Sequence, residues 1–189
     1  SLRTDGSLIV TITGQNFGQV DETNKVTALY QNTKLTDLAG KLYTATKCNV
    51  TVSHTEMQCS SRIGVGQYHR WRMTVGQQEG PRSNVTTSYE APTVDSFEGF
   101  QTMKTRGGQL VTLRGENLGP VTTADWDGPY VNPVAMVYAH TLTTVIPADP
   151  EDENSTERTK VKTWSYDTLR CNVTEDHVAM QCVTVPGVG

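Results

Sequence analysis

Apolar and polar residues alternate along this chain in short runs. In Tyr68-His69-Arg70-Trp71-Arg72-Met73-Thr74-Val75, a strand's period of two puts Trp71 and Met73 on one face and the arginines on the other. Asn84-Val85-Thr86-Thr87-Ser88-Tyr89 reads as a further strand. No ten-residue stretch carries a clear apolar period of 3.6, and Thr and Val are abundant with Gly and Pro scattered between runs. The pattern predicts an all-β chain with little helix.

The pattern also repeats. Cys48-Asn49-Val50-Thr51-Val52-Ser53-His54-Thr55-Glu56-Met57-Gln58-Cys59 recurs as Cys171-Asn172-Val173-Thr174-Glu175-Asp176-His177-Val178-Ala179-Met180-Gln181-Cys182, an offset of 123, and Gly64-Val65-Gly66 falls on Gly187-Val188-Gly189 at the same offset. Earlier, Gly6 through Gly18 aligns with Gly107 through Gly119 at an offset of 101. The difference of 22 residues is inserted sequence in the second copy, part of it before Met136 and the rest in the acidic stretch Pro147 to Thr156, which reads as a solvated loop. The boundary falls at Glu90-Ala91-Pro92-Thr93, giving copies over 1–91 and 92–189. The second copy stops at the equivalent of Gly66, so it is expected to lack its last strands within this chain.

If Ser53-His54 is a two-residue turn, Cys48 faces Cys59 and Val50 faces Met57 on one side of a hairpin, while Asn49, Thr51 and Gln58 face the other. The second copy sets Cys171 against Cys182 and Val173 against Met180 in the same way. Directly opposed residues lie within disulfide reach, so the pairs Cys48–Cys59 and Cys171–Cys182 are expected. The competing reading is four free core cysteines, disfavoured by their even number and matched spacing. The absence of CxxC pairs argues against zinc.

Asn49-Val50-Thr51 and Asn172-Val173-Thr174 are N-glycosylation sequons on the face opposite the cysteines, and Asn84-Val85-Thr86 and Asn154-Ser155-Thr156 are two more. Disulfides and sequons both point to the secretory route and an extracellular or cell-surface location. A net charge of −4 lacks the basic footprint of a nucleic-acid partner. No apolar run approaches the ~20 residues that span a bilayer, so no membrane insertion within this chain is expected, and any targeting segment lies outside it.

With the repeat laid out, the chain resembles the IPT/TIG immunoglobulin-like family of plexins, fibrocystin-like proteins and large surface proteins of algae and other protists. The carrying residues are Gly107 through Gly119, the cysteine hairpins, Pro186-Gly187-Val188-Gly189 and the run from Gly64 through Trp71 to Val75-Gly76-Gln77; the resemblance covers nearly all of both copies. It implies two tandem β-sandwich repeats used for extracellular binding or scaffolding.

Other candidates are weaker. His54 and His177 occupy the same place in both copies, which suggests metal or pH sensing, yet duplicated turn residues explain it more simply. The run Asp149 to Glu153 lacks the spaced ligands and turn Gly of a calcium loop, and Arg70-Trp71-Arg72, a candidate for glycan contact, also reads as an ordinary half-buried strand. There is no nucleophile elbow, P-loop or GxGxxG. The expectation is therefore a non-enzymatic structural module of a glycosylated surface or filament protein. It would carry N-linked glycans, need no cofactor or metal, and have neighbouring copies or adjacent repeats as partners; a ligand-binding ectodomain of a plexin-like or fibrocystin-like receptor is the alternative.

Overall fold

The computed structural model describes residues 1–20, 25–32, 42–99, 102–122, 137–146, 156, 158–168 and 171–187. Among these the chain is all-β, built from antiparallel sheets in a manner consistent with a β-sandwich, and contains no helix. The strands are β1 (Ile9–Thr13), β2 (Val26–Asn32), β3 (Tyr43–Thr44), β4 (Thr46–Val52), β5 (Glu56–Ser60), β6 (His69–Val75), β7 (Gln78–Arg82), β8 (Thr93–Glu98), β9 (Leu110–Glu116), β10 (Val137–Ile146), β11 (Arg158–Asp167), β12 (Cys171–Glu175) and β13 (Ala179–Val183).

Residues before Glu90 form two sheets, ordered β1-β5-β4 and β3-β2-β6-β7. Later residues form the sheets β12-β13-β9-β8 and β10-β11. Two parts of this arrangement correspond. β5 lies between β1 and β4 as β13 lies between β9 and β12, and the cross-strand pair Tyr30–Tyr43 has its counterpart in Tyr138–Tyr166. One element has no counterpart: β8 runs along the outer edge of β9, while no described strand runs along the outer edge of β1.

The first core gathers Tyr30, Tyr43, Trp71, Tyr89, Ala28, Val50, Met57 and Cys59 with their neighbours. Alternation in β6 is as the sequence suggests: Trp71 is buried and Met73 packs against the core. Among the described residues a second cluster consists of Leu113, Leu118, Cys171, Met180 and Cys182 with Val173 against them.

One sequence expectation needs correction, and one falls outside the described residues. The segment Asn84 to Tyr89 is not a continuous strand; it contributes only isolated bridges from Thr87 to His69 and from Tyr89 to Leu2. The strand that follows β6 is β7, paired on the side of β6 away from β2; its sequence Gln-Glu-Gly-Pro-Arg has no alternating signal, because register on a neighbour, rather than its own pattern, makes it a strand. The acidic segment from Pro147 lies outside the described residues apart from Thr156, although β10 and β11 pair up to Ile146 and Arg158 on either side of it.

Candidate functional site

The cysteine hairpins are the feature that the chain builds twice. In β4–β5, Val50 opposes Met57 and Asn49 opposes Gln58; in β12–β13, Val173 opposes Met180 and Asn172 opposes Gln181. Cys48–Cys59 and Cys171–Cys182 are disulfide-bonded, and the described residues hold no free cysteine. Such a pair of bonds suits an oxidising compartment. Met57, Cys59, Met180 and Cys182 are buried, so each bridge forms part of a core and not a surface staple.

The turn differs from the expected two residues. Thr55 N–H donates to Val52 O (3.1 Å) and Val178 N–H to Glu175 O (3.2 Å), so Ser53-His54-Thr55 and Asp176-His177-Val178 form three-residue turns. The register slips by one between Val50 and Val52 and between Val173 and Glu175, and in the first hairpin it shifts again between Thr46 and Asn49, while both disulfides form. His54 and His177 stand at φ of 64° and 65°, in the left-handed region.

Their backbones also have a common task. His54 N–H donates to Gly18 O (2.6 Å) and His54 O accepts from Phe17 N–H (3.2 Å); His177 does the same with Gly119 O (2.7 Å) and Leu118 N–H (3.0 Å). Each histidine thereby holds the Asn-Phe-Gly or Asn-Leu-Gly turn, whose Asn and Gly also have positive φ. Phe17 and Leu118 plug their cores. This accounts for the repeated histidine through backbone geometry, and no group of three metal-ligating side chains occurs among the described residues.

The sequon face is polar in both hairpins. Asn49 and Asn172 are exposed, and beside them Gln58 Nε2 donates to Thr11 Oγ1 and Gln181 Nε2 to Thr112 Oγ1, both at 3.4 Å. Asn84 is exposed in the loop after β7, and Asn154 lies outside the described residues.

A buried aromatic cluster is the feature that sequence reading missed. Tyr30 stacks on Trp71 (ring centroids 4.3 Å apart) and on Tyr43 (5.0 Å), and His69 stands edge-on to Tyr30, Tyr43 and Tyr89 at 5.4–5.7 Å. Tyr89 Oη donates to Arg62 O (2.6 Å), so the 2.7 Å contact between the two hydroxyls is a bond donated by Tyr30, which itself accepts from Arg62 N–H (2.9 Å). Tyr43 Oη donates to Val65 O and accepts from Val65 N–H.

The three tyrosines thus fix the segment around Gly64, where an added Cβ would run into the Tyr43 ring. Gly187 lies equally close to Tyr166, which is a physical reason for the second matched glycine. Burial pushes the Tyr43 hydroxyl up to about 12 and raises Tyr30 and Tyr89 as well. Burial also holds His69 below the usual histidine range, only partly offset by the Gly66 and Val65 backbone, and its ring nitrogens make no well-formed hydrogen bond. A hint was present in the sequence, since His69 shares the inward parity of Trp71.

Two surface features lie apart from the hairpins and the aromatic cluster. Arg70 and Arg72 are half-buried on the outer side of β6, and Arg72 is paired with Glu79 at 2.9 Å. A shallow cleft is lined by Gly99, Lys104, Arg106 and Gly107 through Leu110. Its amides that could cradle an anion are already engaged, Lys104 N–H by Gln109 Oε1, Gly107 N–H by Lys104 O and Gly108 N–H by Thr184 O. No family model, curated protein or solved structure matches the chain.

Proposed function

We propose that this chain is a non-enzymatic structural piece of an extracellular, N-glycosylated surface or filament protein. In this reading it comprises two immunoglobulin-like β-sandwich modules of the IPT/TIG kind over 1–91 and 92–189. The observation that carries the proposal is the twice-built hairpin: a disulfide on the core side, an exposed sequon asparagine on the other side, and a left-handed histidine holding an adjacent turn. Catalysis needs convergent polar groups in a cleft, and what recurs here is instead a scaffold with a polar outer face.

Contacts between the two halves support end-to-end docking as the mode of assembly. Thr4 Oγ1 donates to Asn117 Oδ1 (3.1 Å), Asn117 Nδ2 donates to Ala91 O (3.4 Å), and Val65 lies close to Gly119. The Asn-Leu-Gly turn is covered there, whereas Asn16 in the equivalent turn of the first half is exposed. A module docked against Asn16-Phe17-Gly18 would extend the array by the same contact.

The test is to express the chain through a secretory pathway and map its peptides without reduction, before and after enzymatic removal of N-glycans. Glycan at Asn49, Asn84, Asn154 and Asn172, together with intact Cys48–Cys59 and Cys171–Cys182 peptides, is expected. Unmodified asparagines in a secreted, folded product would overturn the reading.

A further inference from the structure

His69 is 3% exposed, yet neither ring nitrogen has a well-formed hydrogen bond, a state that buried polar groups seldom occupy. The acceptors beside the ring are the carbonyls of Val65 and Gly66, and both are already engaged. Val65 O accepts from Tyr43 Oη (3.1 Å) and Gly66 O from Tyr89 N–H (2.9 Å). An added Cβ at Gly66 would lie 3.3 Å from His69 Nε2, so the ring sits directly beneath this segment.

The segment that His69 underlies is also the first half's side of the joint between the halves. Val65 lies over Gly119, where an added Cβ would come within 3.0 Å of Val65 Cγ1. Beside it Thr4 Oγ1 donates to Asn117 Oδ1 (3.1 Å), and Thr4 O accepts from Gly64 N–H (3.0 Å). Tyr43 Oη holds Val65 at both its carbonyl and its N–H. A single layer, Val65-Gly66 with its tyrosine partners, therefore separates His69 from the Asn117-Leu118-Gly119 turn.

We propose that His69 is a proton-operated latch on this joint, holding the two halves in one orientation while its imidazole is neutral and releasing them when the ring takes up a proton. This goes beyond the reading of the chain as a structural piece, because it makes the joint inside that piece conditional on pH. A neutral ring has one N–H donor, whereas the imidazolium has two and a charge. The groups facing it supply no counter-charge. Tyr30 from β2, Tyr43 from β3 and Tyr89 from the segment after β7 are neutral, Arg70 and Arg72 lie on the outer side of β6, and the charged group acting on Tyr30 and Tyr89 is Arg62, also a cation. The imidazolium must take the Val65 and Gly66 carbonyls from Tyr43 and Tyr89 or move out to water, and either course displaces Val65 from Gly119.

Burial keeps the proton affinity of the latched ring below that of an exposed imidazole, so the released form binds the proton more tightly. By linkage the joint is closed above that range and opens as pH falls through it. Asp5 and His177 interact across the same joint. They act in the opposite sense, since a protonated His177 attracts Asp5 and tightens the contact.

The test is amide NMR on the whole chain in a weakly aligning medium, with dipolar couplings measured for each half from about pH 7.5 to about pH 5. One alignment tensor is expected to fit both halves at the upper end and separate tensors at the lower, with the amides of β2 and β6 still protected. The midpoint should coincide with titration of the His69 ring's own Cε1 signal, which decides the matter even if His69→Phe does not fold. A folded His69→Phe should keep one tensor throughout, and Asp5→Asn should leave the transition in place.

Separate tensors at about pH 7.5, a single tensor after His69 has titrated, or release abolished by Asp5→Asn would each overturn the proposal. Loss of protection in β2 and β6 at the same pH also overturns it, by showing that acid unfolds the first half and does not merely open the joint.

Discussion

The two cysteine hairpins are close copies in sequence and turn geometry, apart from an irregularity between Thr46 and Asn49 in the first, but they are set in different surroundings. In the first half the hairpin is one wall of a cluster that includes Tyr30, Tyr43 and Tyr89, each with several ring neighbours, and Trp71, stacked on Tyr30. In the second half the hairpin supplies three of the five buried cluster members, and Phe97 and Val94 of β8 remain 66% and 55% exposed. A disulfide limits the unfolded chain by a similar amount wherever it closes the same loop. It therefore matters more where less else is buried around it, and among the described residues the hairpin is one wall of the first cluster and most of the second.

Several measurements would break or sharpen that contrast. Trp71→Ala has the largest expected effect, about 3–5 kcal/mol by denaturant unfolding, because it removes one of the two rings stacked on Tyr30 and leaves a cavity in the first core. Hydrogen exchange resolved by segment should show the loss in 1–91 with β9, β12 and β13 little changed. Uniform loss across both halves would mean that they unfold as one unit.

Next comes the double change Cys171→Ser with Cys182→Ser, compared with Cys48→Ser with Cys59→Ser. Each should cost about 2–3 kcal/mol for so short a loop. The second-half variant should lose amide protection throughout β9, β12 and β13, whereas the first-half variant should keep protection in β2 and β6, where the aromatic cluster remains. Equal losses of protection in the two variants would remove the distinction between the two hairpins.

Acid should affect the halves unequally. Burial holds the folded His69 below the value of about 6.5 for an unfolded imidazole, so the folded state binds fewer protons between those two values. The stabilisation is complete above that range and is lost as pH falls through it. The rings facing His69 are those of Tyr30, Tyr43 and Tyr89, all neutral there. First-half stability measured from about pH 7 to pH 5 should therefore decline, and His69→Phe should flatten that slope.

The smallest change is expected from His54→Gly and His177→Gly. Release from the left-handed region outweighs the added unfolded-state entropy of glycine, for a net gain of about 0.5 kcal/mol, alike in both halves. A loss of more than about 1 kcal/mol in either variant would mean that the imidazole does more than occupy a turn.

The legible parts of this molecule were those whose signal is local. Strict alternation from Cys48 to Val52 and from Met57 to Cys59 revealed both cysteine pairings and the outward asparagines; the slip near the tip lies beyond both pairings, and a further irregularity between Thr46 and Asn49 leaves the Cys48–Cys59 bridge in place. β7 and β8 were missed because neither carries the alternating apolar pattern of a strand packed on a core; each exists through its ladder with β6 or β9. The aromatic cluster escaped for a different reason, since its members stand on β2, β3, β6 and the segment at Tyr89, and no sequence window contains them together.

By itself, then, the sequence determined the all-β character, the repeat, the two disulfides and the parity of the sequons, since each depends on residues a few positions apart in one hairpin or on likeness between two segments. Tertiary structure alone decided that His69 is buried among three tyrosines, that Gly64 and Gly187 lie against tyrosine rings, and that β8 pairs along the outer edge of β9. Those features depend on which distant strands meet. That is set by burial summed over the whole sheet, which alternation along a single strand does not encode.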